Sequence, residues 1–190
     1  MPKQRIALFI SGKGTNAINL IDHFKESENV AIVSVLSTKE NEVLESTCSQ
    51  SAIHFERFPN RNLEADELLH FCKENNVDWI VLAGFLKKIP EELVKTYPNR
   101  IINIHPSLLP DFGGKGMYGM RVHEAVIEAK ATKSGITIHF VNEEFDKGKR
   151  IAQFETTISK EDTPITLASK IHELEMTFFP KVVEGVVCSN

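Results

Sequence analysis

The chain has 190 residues, of which 42% are apolar and 25% charged, with a formal net charge of −4. That length buries enough surface for one domain without a disulfide or metal staple. The acidic balance excludes a broad basic face for nucleic acid or an anionic membrane, so any phosphate recognition has to be local. No stretch reaches transmembrane length, and the apolar run Ile6–Ile10 stops at Ser11-Gly12 too soon for a secretion signal. Cys48, Cys72 and Cys188 are odd in number, far apart and without metal-ligand spacing, so reduced, buried thiols and a cytoplasmic location are expected.

In chain order, Arg5–Ile10, Val30–Leu36, Asp78–Leu82 and Arg100–Ile104 read as short buried strands, each an apolar, β-branched run. Between them, 15–24, 40–51, 62–75 and 91–97 read as helices. Ala17, Leu20, Ile21 and Phe24 share one face of the first. Strand and helix in this rhythm predict an α/β fold with a parallel sheet covered on both sides. The second half changes character. A helix over 122–130 is followed by strands over 136–141 and 151–157, joined by a polar loop holding Asp146-Lys147-Gly148, which predicts an antiparallel addition to the sheet. A last helix starts near Pro164 with Thr163 as its N-cap, and Leu167, Ile171, Leu174 and Phe178 are its expected buried stripe.

The first strand opens into Ser11-Gly12-Lys13-Gly14-Thr15-Asn16-Ala17 and then a helix. Glycines permit a tight turn, and free amides at a helix N-terminus attract a phosphate. The pattern fits the dinucleotide fingerprint G-x-G-x-x-A, but that reading wants an acid at the end of the second strand, and Ser37-Thr38-Lys39 supplies none. A monophosphate site is the better reading; a purely structural turn is the bland alternative.

The fourth predicted strand ends in Asn103-Ile104-His105-Pro106-Ser107-Leu108-Leu109-Pro110. Alternation puts Asn103 and His105 on one side, at the strand end that borders the crevice of a parallel sheet. An amide beside an imidazole there suits a developing oxyanion. A lone histidine on a strand is more often a satisfied core residue, but here asparagine, histidine and a rigid proline turn arrive together.

This eight-residue block, with the 11–16 turn and Val81-Leu82-Ala83-Gly84-Phe85-Leu86, resembles the formyl transferases that use 10-formyltetrahydrofolate, over nearly the whole chain from Ile6 to Pro180. The resemblance implies a Rossmann-like, mostly parallel sheet with antiparallel C-terminal strands, and a single formyltransferase domain over 1–190. It implies an enzyme of purine synthesis that moves a formyl group from 10-formyltetrahydrofolate to the amine of glycinamide ribonucleotide. The amine attacks directly, without a covalent enzyme intermediate or a metal, and the protein is a monomer or homodimer that binds no nucleic acid and no membrane. By the same resemblance Asn103 and His105 steady the oxyanion, and Asp146, in the loop after Thr137-Ile138-His139-Phe140, orients His105 and assists proton transfer. Gly14, Thr15 and Asn16 correspond to the phosphate turn, and Glu175, with His172 one turn before it, to the ribose contact. Leu86, Lys87, Lys88 and Ile89 correspond to the folate wall, with Asn103 beside it. Val141, Asn142 and Glu143 open the loop that closes over it, and Arg61 falls near the folate's glutamate end.

The sequence departs from the family in three places. The loop over 111–118 is long and glycine-rich, as a lid would be; Lys147-Gly148-Lys149-Arg150 stands where x-Gly-Pro is usual; and Met176 replaces a histidine. Related enzymes that formylate an aminoacyl-tRNA, or that hydrolyse the formylfolate, and a non-catalytic nucleotide-binding module are the competing readings.

Overall fold

Along β1 (Gln4–Ile10) successive side chains enter two separate cores, Ile6, Leu8 and Ile10 on one side of the sheet and Ala7 and Phe9 on the other. A strand buried on both faces reads as a continuous apolar run, and that is what the sequence has here. The structure is a computed structural model that describes residues 2–59 and 64–189. The remaining strands are β2 (Val30–Ser37), β3 (His54–Arg57), β4 (Trp79–Leu82), β5 (Ile101–His105), β6 (Lys133–Phe140) and β7 (Arg150–Thr157). They form one seven-stranded sheet in the order β3-β2-β1-β4-β5-β6-β7. The first five strands of that order are parallel, and β6 and β7 add antiparallel, as the pattern of the second half predicts.

The helices are α1 (Thr15–Phe24), α2 (Glu42–Gln50), α3 (Ala65–Glu74), α4 (Glu91–Thr96), α5 (Met120–Glu128) and α6 (Pro164–Cys188). Helices α1, α2, α5 and α6 contribute buried side chains to the core on the Leu8 face, and α3 and α4 to the core on the Phe9 face. Phe9 lies against Phe71 and Phe85 with ring centroids 6.1 and 5.6 Å apart. Such aromatic pairs each add about 0.5–1.5 kcal/mol beyond burial.

Two expectations are corrected, on α6 and at Cys188, and one element is new. Strand β3 has no counterpart in the sequence pattern, because His54-Phe55-Glu56-Arg57 is a short, partly exposed edge strand and carries none of the apolar run of its neighbours. On α6 the buried stripe runs through Leu167, Ile171, Phe179, Val183 and Val187, while Leu174 and Phe178 are only partly buried. Phe178 instead stacks on Phe154 of β7 at 3.9 Å. Cys48 and Cys72 are buried free thiols, but Cys188, at the last turn of α6, is exposed. The α6 start is as expected: Thr163 caps the Thr166 amide and the Thr166 hydroxyl accepts from the Thr163 amide, with Pro164 following. Among the described residues no helix is long and apolar enough to cross a membrane.

The order of the strands positions the site. From β1 the chain runs outward to β2 and β3, then returns to the other side of β1 at β4. The loops after β1 and β4 therefore leave in opposite directions and open a crevice at the strands' carboxyl ends.

Candidate functional site

The loop after β1 and the loop after β4 are stitched together by Ser11. Its amide donates to the Gly84 carbonyl at 3.1 Å, and its hydroxyl accepts from the Leu86 amide at 3.1 Å and from Thr38 at 2.9 Å. Gly14 then takes φ of +77° as the N-cap of α1, a left-handed conformation that side chains disfavour. A Cβ there would also sit 3.0 Å from Leu44 and 3.2 Å from Asn41. No side chain caps α1, and its ladder starts only at the Ile18 amide, which donates to the Gly14 carbonyl, so the first-turn amides lack intrahelical acceptors. Asn41, which the sequence reading passed over, pins this turn. Its Nδ2 donates to the carbonyls of Gly12 and Lys13, and its Oδ1 caps Leu44 at the start of α2.

The turn, the β4 loop, the end of β5, the loops 114–120 and 141–146 and one face of α6 line a single cavity of about 660 Å³. Every predicted site residue in the described part of the chain lies on its wall, including Gly14, Thr15, Asn16, Asn103, His105, Asp146, His172 and Glu175. Leu86, Lys87, Lys88 and Ile89 form one side, and Val141, Asn142 and Glu143 a rim opposite. Ile89 is buried, whereas Leu86 and Lys88 are exposed at the mouth. Arg61 lies outside the described residues.

At the centre, Asn103 pairs in register with His139 of β6, and His105 with Thr137. His105 is 4% exposed. Its Nε2 donates to the Phe112 carbonyl at 2.9 Å, and its Nδ1 lies 3.5 Å from Asp146 Oδ2. Burial pulls the His105 pKa down; Asp146 and the Phe112 carbonyl push it back up without overcoming the burial. The Asp146 carboxylate thus favours the imidazolium, as its place beside His105 implies, but burial outweighs it. The Asp146 side chain is itself only 11% exposed. Its own burial raises its pKa, but the neighbouring His139 and His105 and the Gly114 amide outweigh that and hold the carboxyl below the ordinary aspartate value. An exposed loop-tip acid would show none of this. Asp146 has φ of +56°, and two residues on, any Cβ at Gly148 would collide with the Phe140 carbonyl oxygen, so the tight return of this loop demands glycine there.

His139 entered the sequence reading only as part of a strand marker. In the structure it stands between the catalytic candidates, with Nε2 3.1 Å from Asn103 Nδ2 and 3.7 Å from Asp146 Oδ1, and Nδ1 2.8 Å from the Phe140 carbonyl. Alternation along β6 was the signal that could have found it, since Thr137 and His139 share the sheet face that Asn103 and His105 occupy. At the far end of the cavity Asn16 donates to Glu175 at 2.8 Å, and His172 Nδ1 lies 3.6 Å from the same carboxylate oxygen. Burial raises the Glu175 pKa, against the pull of Asn16 and His172.

Residues 4–183 match the sequence profile of a family described as "Formyl transferase". The chain is 39% identical over 195 residues to a phosphoribosylglycinamide formyltransferase, chloroplastic, of Arabidopsis thaliana, covering 99% of this chain and 66% of that protein. It is 37% identical to the protein of the same description from Vigna unguiculata, covering 97% of this chain and 61% of that one. The chain thus spans just under two thirds of the length of these curated relatives. Among solved structures, the phosphoribosylglycinamide formyltransferase of Anaplasma phagocytophilum superimposes with a TM-score of 0.88 at 32% identity, over 99% of this chain and 89% of that one.

Proposed function

The chain belongs to the formyl transferase family, and from that premise we propose that it transfers the formyl group of 10-formyltetrahydrofolate to the amine of glycinamide ribonucleotide, a step of purine synthesis, with residues 1–190 acting as one catalytic domain. The observation that carries the reading is that Asp146 is held 3.5 Å from His105 inside the cavity that the Gly14–Asn16 turn also lines.

The cavity divides naturally between the two substrates. The turn at Gly14, Thr15 and Asn16 offers uncapped amides to a phosphate. Glu175 and His172 then fall on the helix face where a ribose would present its hydroxyls. The apolar and backbone groups of Leu86, Ile89 and Val141 suit a flat pterin, with Lys87, Lys88, Asn142 and Glu143 at its edge and Asn103 at the junction. In the reaction the amine nitrogen bonds to the formyl carbon and the carbonyl π electrons move to oxygen. Asn103 faces that oxygen with an amide hydrogen, and His105 with its Nε2 hydrogen, which it carries in either charge state. In this structure the Nε2 hydrogen is taken by Phe112, so delivery to substrate requires the 111–119 loop to yield that contact. The carbon–N10 bond then breaks, and Asp146 assists the proton's passage from attacking nitrogen to N10.

The test is to follow loss of 10-formyltetrahydrofolate with and without glycinamide ribonucleotide. Consumption that depends on the ribonucleotide supports the transferase; steady consumption with the folate alone supports the hydrolase reading.

A further inference from the structure

Among the described residues four imidazoles line the cavity: His105, His123, His139 and His172. Three have polar neighbours, namely Phe112 and Asp146 for His105, Asn103 and Phe140 for His139, and Glu175 for His172. His123 differs. It is 6% exposed, on the buried face of α5, and its Nδ1 is buried without a hydrogen-bond partner among the described residues. Buried polar atoms are nearly always paired, so an orphan in the wall of a ligand cavity marks a bond that a ligand completes. Rotation about χ2 exchanges ring nitrogens and carbons, so the ring has two ways of presenting a nitrogen to that ligand.

The position of His123 says which ligand atom it meets. Helix α5 packs against α6, whose Ile171, His172 and Glu175 border the ribonucleotide half of the cavity. His123 lines the same cavity as His105, whose side chain is near enough to influence it electrostatically. It therefore stands where the ribonucleotide half meets the reacting centre, which is where the acceptor's amine has to lie. An α-amino group of this kind has a pKa of about 8, so at neutral pH it is mostly ammonium and carries no lone pair for attack. Asp146, His105 and His139 are each committed to one another or to the backbone.

We propose that His123 is a further catalytic residue, whose uncharged imidazole accepts the proton that the acceptor's ammonium gives up before it attacks. This rests on the reading of the site as an amine formyl transferase. One ammonium N–H bond breaks, its electrons stay on nitrogen as the attacking pair, and the proton passes from the imidazole to solvent after the step. The second proton of the attacking nitrogen goes to N10 as already described, so charge and atoms balance. Burial first, and the neighbouring His105 second, lower the His123 pKa and favour the uncharged ring. Glu175, His172, Asp146 and His139 are among the other ionisable groups that line the cavity, with Lys13, Lys87, Lys88, Lys115, Tyr118, Glu143 and Glu144 on its walls as well.

The experiment measures kcat/KM for glycinamide ribonucleotide against pH, with 10-formyltetrahydrofolate saturating, for wild type, His123→Asn and His123→Gln. The expected loss near neutrality is about 10²-fold or more, shrinking toward wild type above about pH 8, where the amine is already free. KM for the folate stays unchanged. A loss equal at every pH, which a structural role would give, or no loss at all, overturns the proposal alone. A wild-type protein with no transfer activity overturns it together with the assigned function. Should both variants fail to fold, the His123 ring ¹⁵N shifts of wild-type protein decide instead. They move on addition of glycinamide ribonucleotide if the contact exists, and unmoved shifts overturn it.

Discussion

Asn103 and His139 meet across the antiparallel β5–β6 pair, Nδ2 to Nε2, at 3.1 Å. Because His139 Nδ1 faces the Phe140 carbonyl at 2.8 Å, that nitrogen carries the hydrogen and Nε2 accepts from the amide. His139 therefore fixes which way Asn103 points without needing to touch substrate. Substituting His139→Ala leaves the amide without its acceptor, a loss of about 1–3 kcal/mol, or roughly 5- to 150-fold. We expect that loss in kcat, with little change in KM for either substrate, and recovery of part of it in His139→Gln. An unchanged kcat would show that Asn103 holds its orientation by other means.

His105→Ala and Asp146→Asn are each expected to lower turnover by about 10²–10⁴-fold while the far-ultraviolet circular dichroism stays that of the wild type. The double variant should lose much less than the product of the two, because the side chains act on one another at 3.5 Å. Steady-state kinetics on the four proteins reads both results, and near wild-type turnover in either single variant removes that residue from the mechanism.

Gly14→Val places a branched side chain at φ of +77°, with its Cβ 3.0 Å from Leu44 and 3.2 Å from the Asn41 amide that pins the turn. We expect a rise in KM for the ribonucleotide of at least about tenfold, the scale of 1.4 kcal/mol, with the folate KM nearly unchanged. Inorganic phosphate should compete with the ribonucleotide and not with the folate. Competition against the folate would place the phosphate elsewhere.

Acid should destabilise the protein through its buried imidazoles. His105 and His123 both titrate below the ordinary histidine value of 6.5, burial being the first cause in each. Unfolding returns them to that value, so below it the unfolded chain binds more protons than the folded one. Their stabilisation is thus complete above 6.5 and is lost as pH falls through the lower folded values. The Tm should fall between about pH 7 and about pH 5, and less steeply in His123→Gln. A flat profile would contradict the burial of these rings.

The parallel half of the fold was legible because strands buried on both faces leave unbroken apolar runs, as in Ile6–Ile10 and Trp79–Leu82. Strand β3 was not, since an edge strand facing solvent needs no such run. The site residues that announce themselves sit in local patterns: Gly14 in a strand-to-helix turn, and Asn103 and His105 beside a proline. Asn41, His123 and His139 reach the site from other elements, and their presence there comes from a loop contact, pairing across the sheet and packing of α5, which no local spacing encodes. Asp146 was placed by family resemblance; its shielding by the glycine loop, through the Gly114 amide, is visible only in three dimensions.

The most direct test of the account is the fate of the transferred carbon. With 10-formyltetrahydrofolate labelled at the formyl carbon with ¹³C and glycinamide ribonucleotide in excess over enzyme, ¹³C NMR should show the label arriving as a formamide on the ribonucleotide, one for each folate consumed. Label recovered as free formate, or retained on the folate throughout, would contradict the assignment of this cavity to formyl transfer onto an amine.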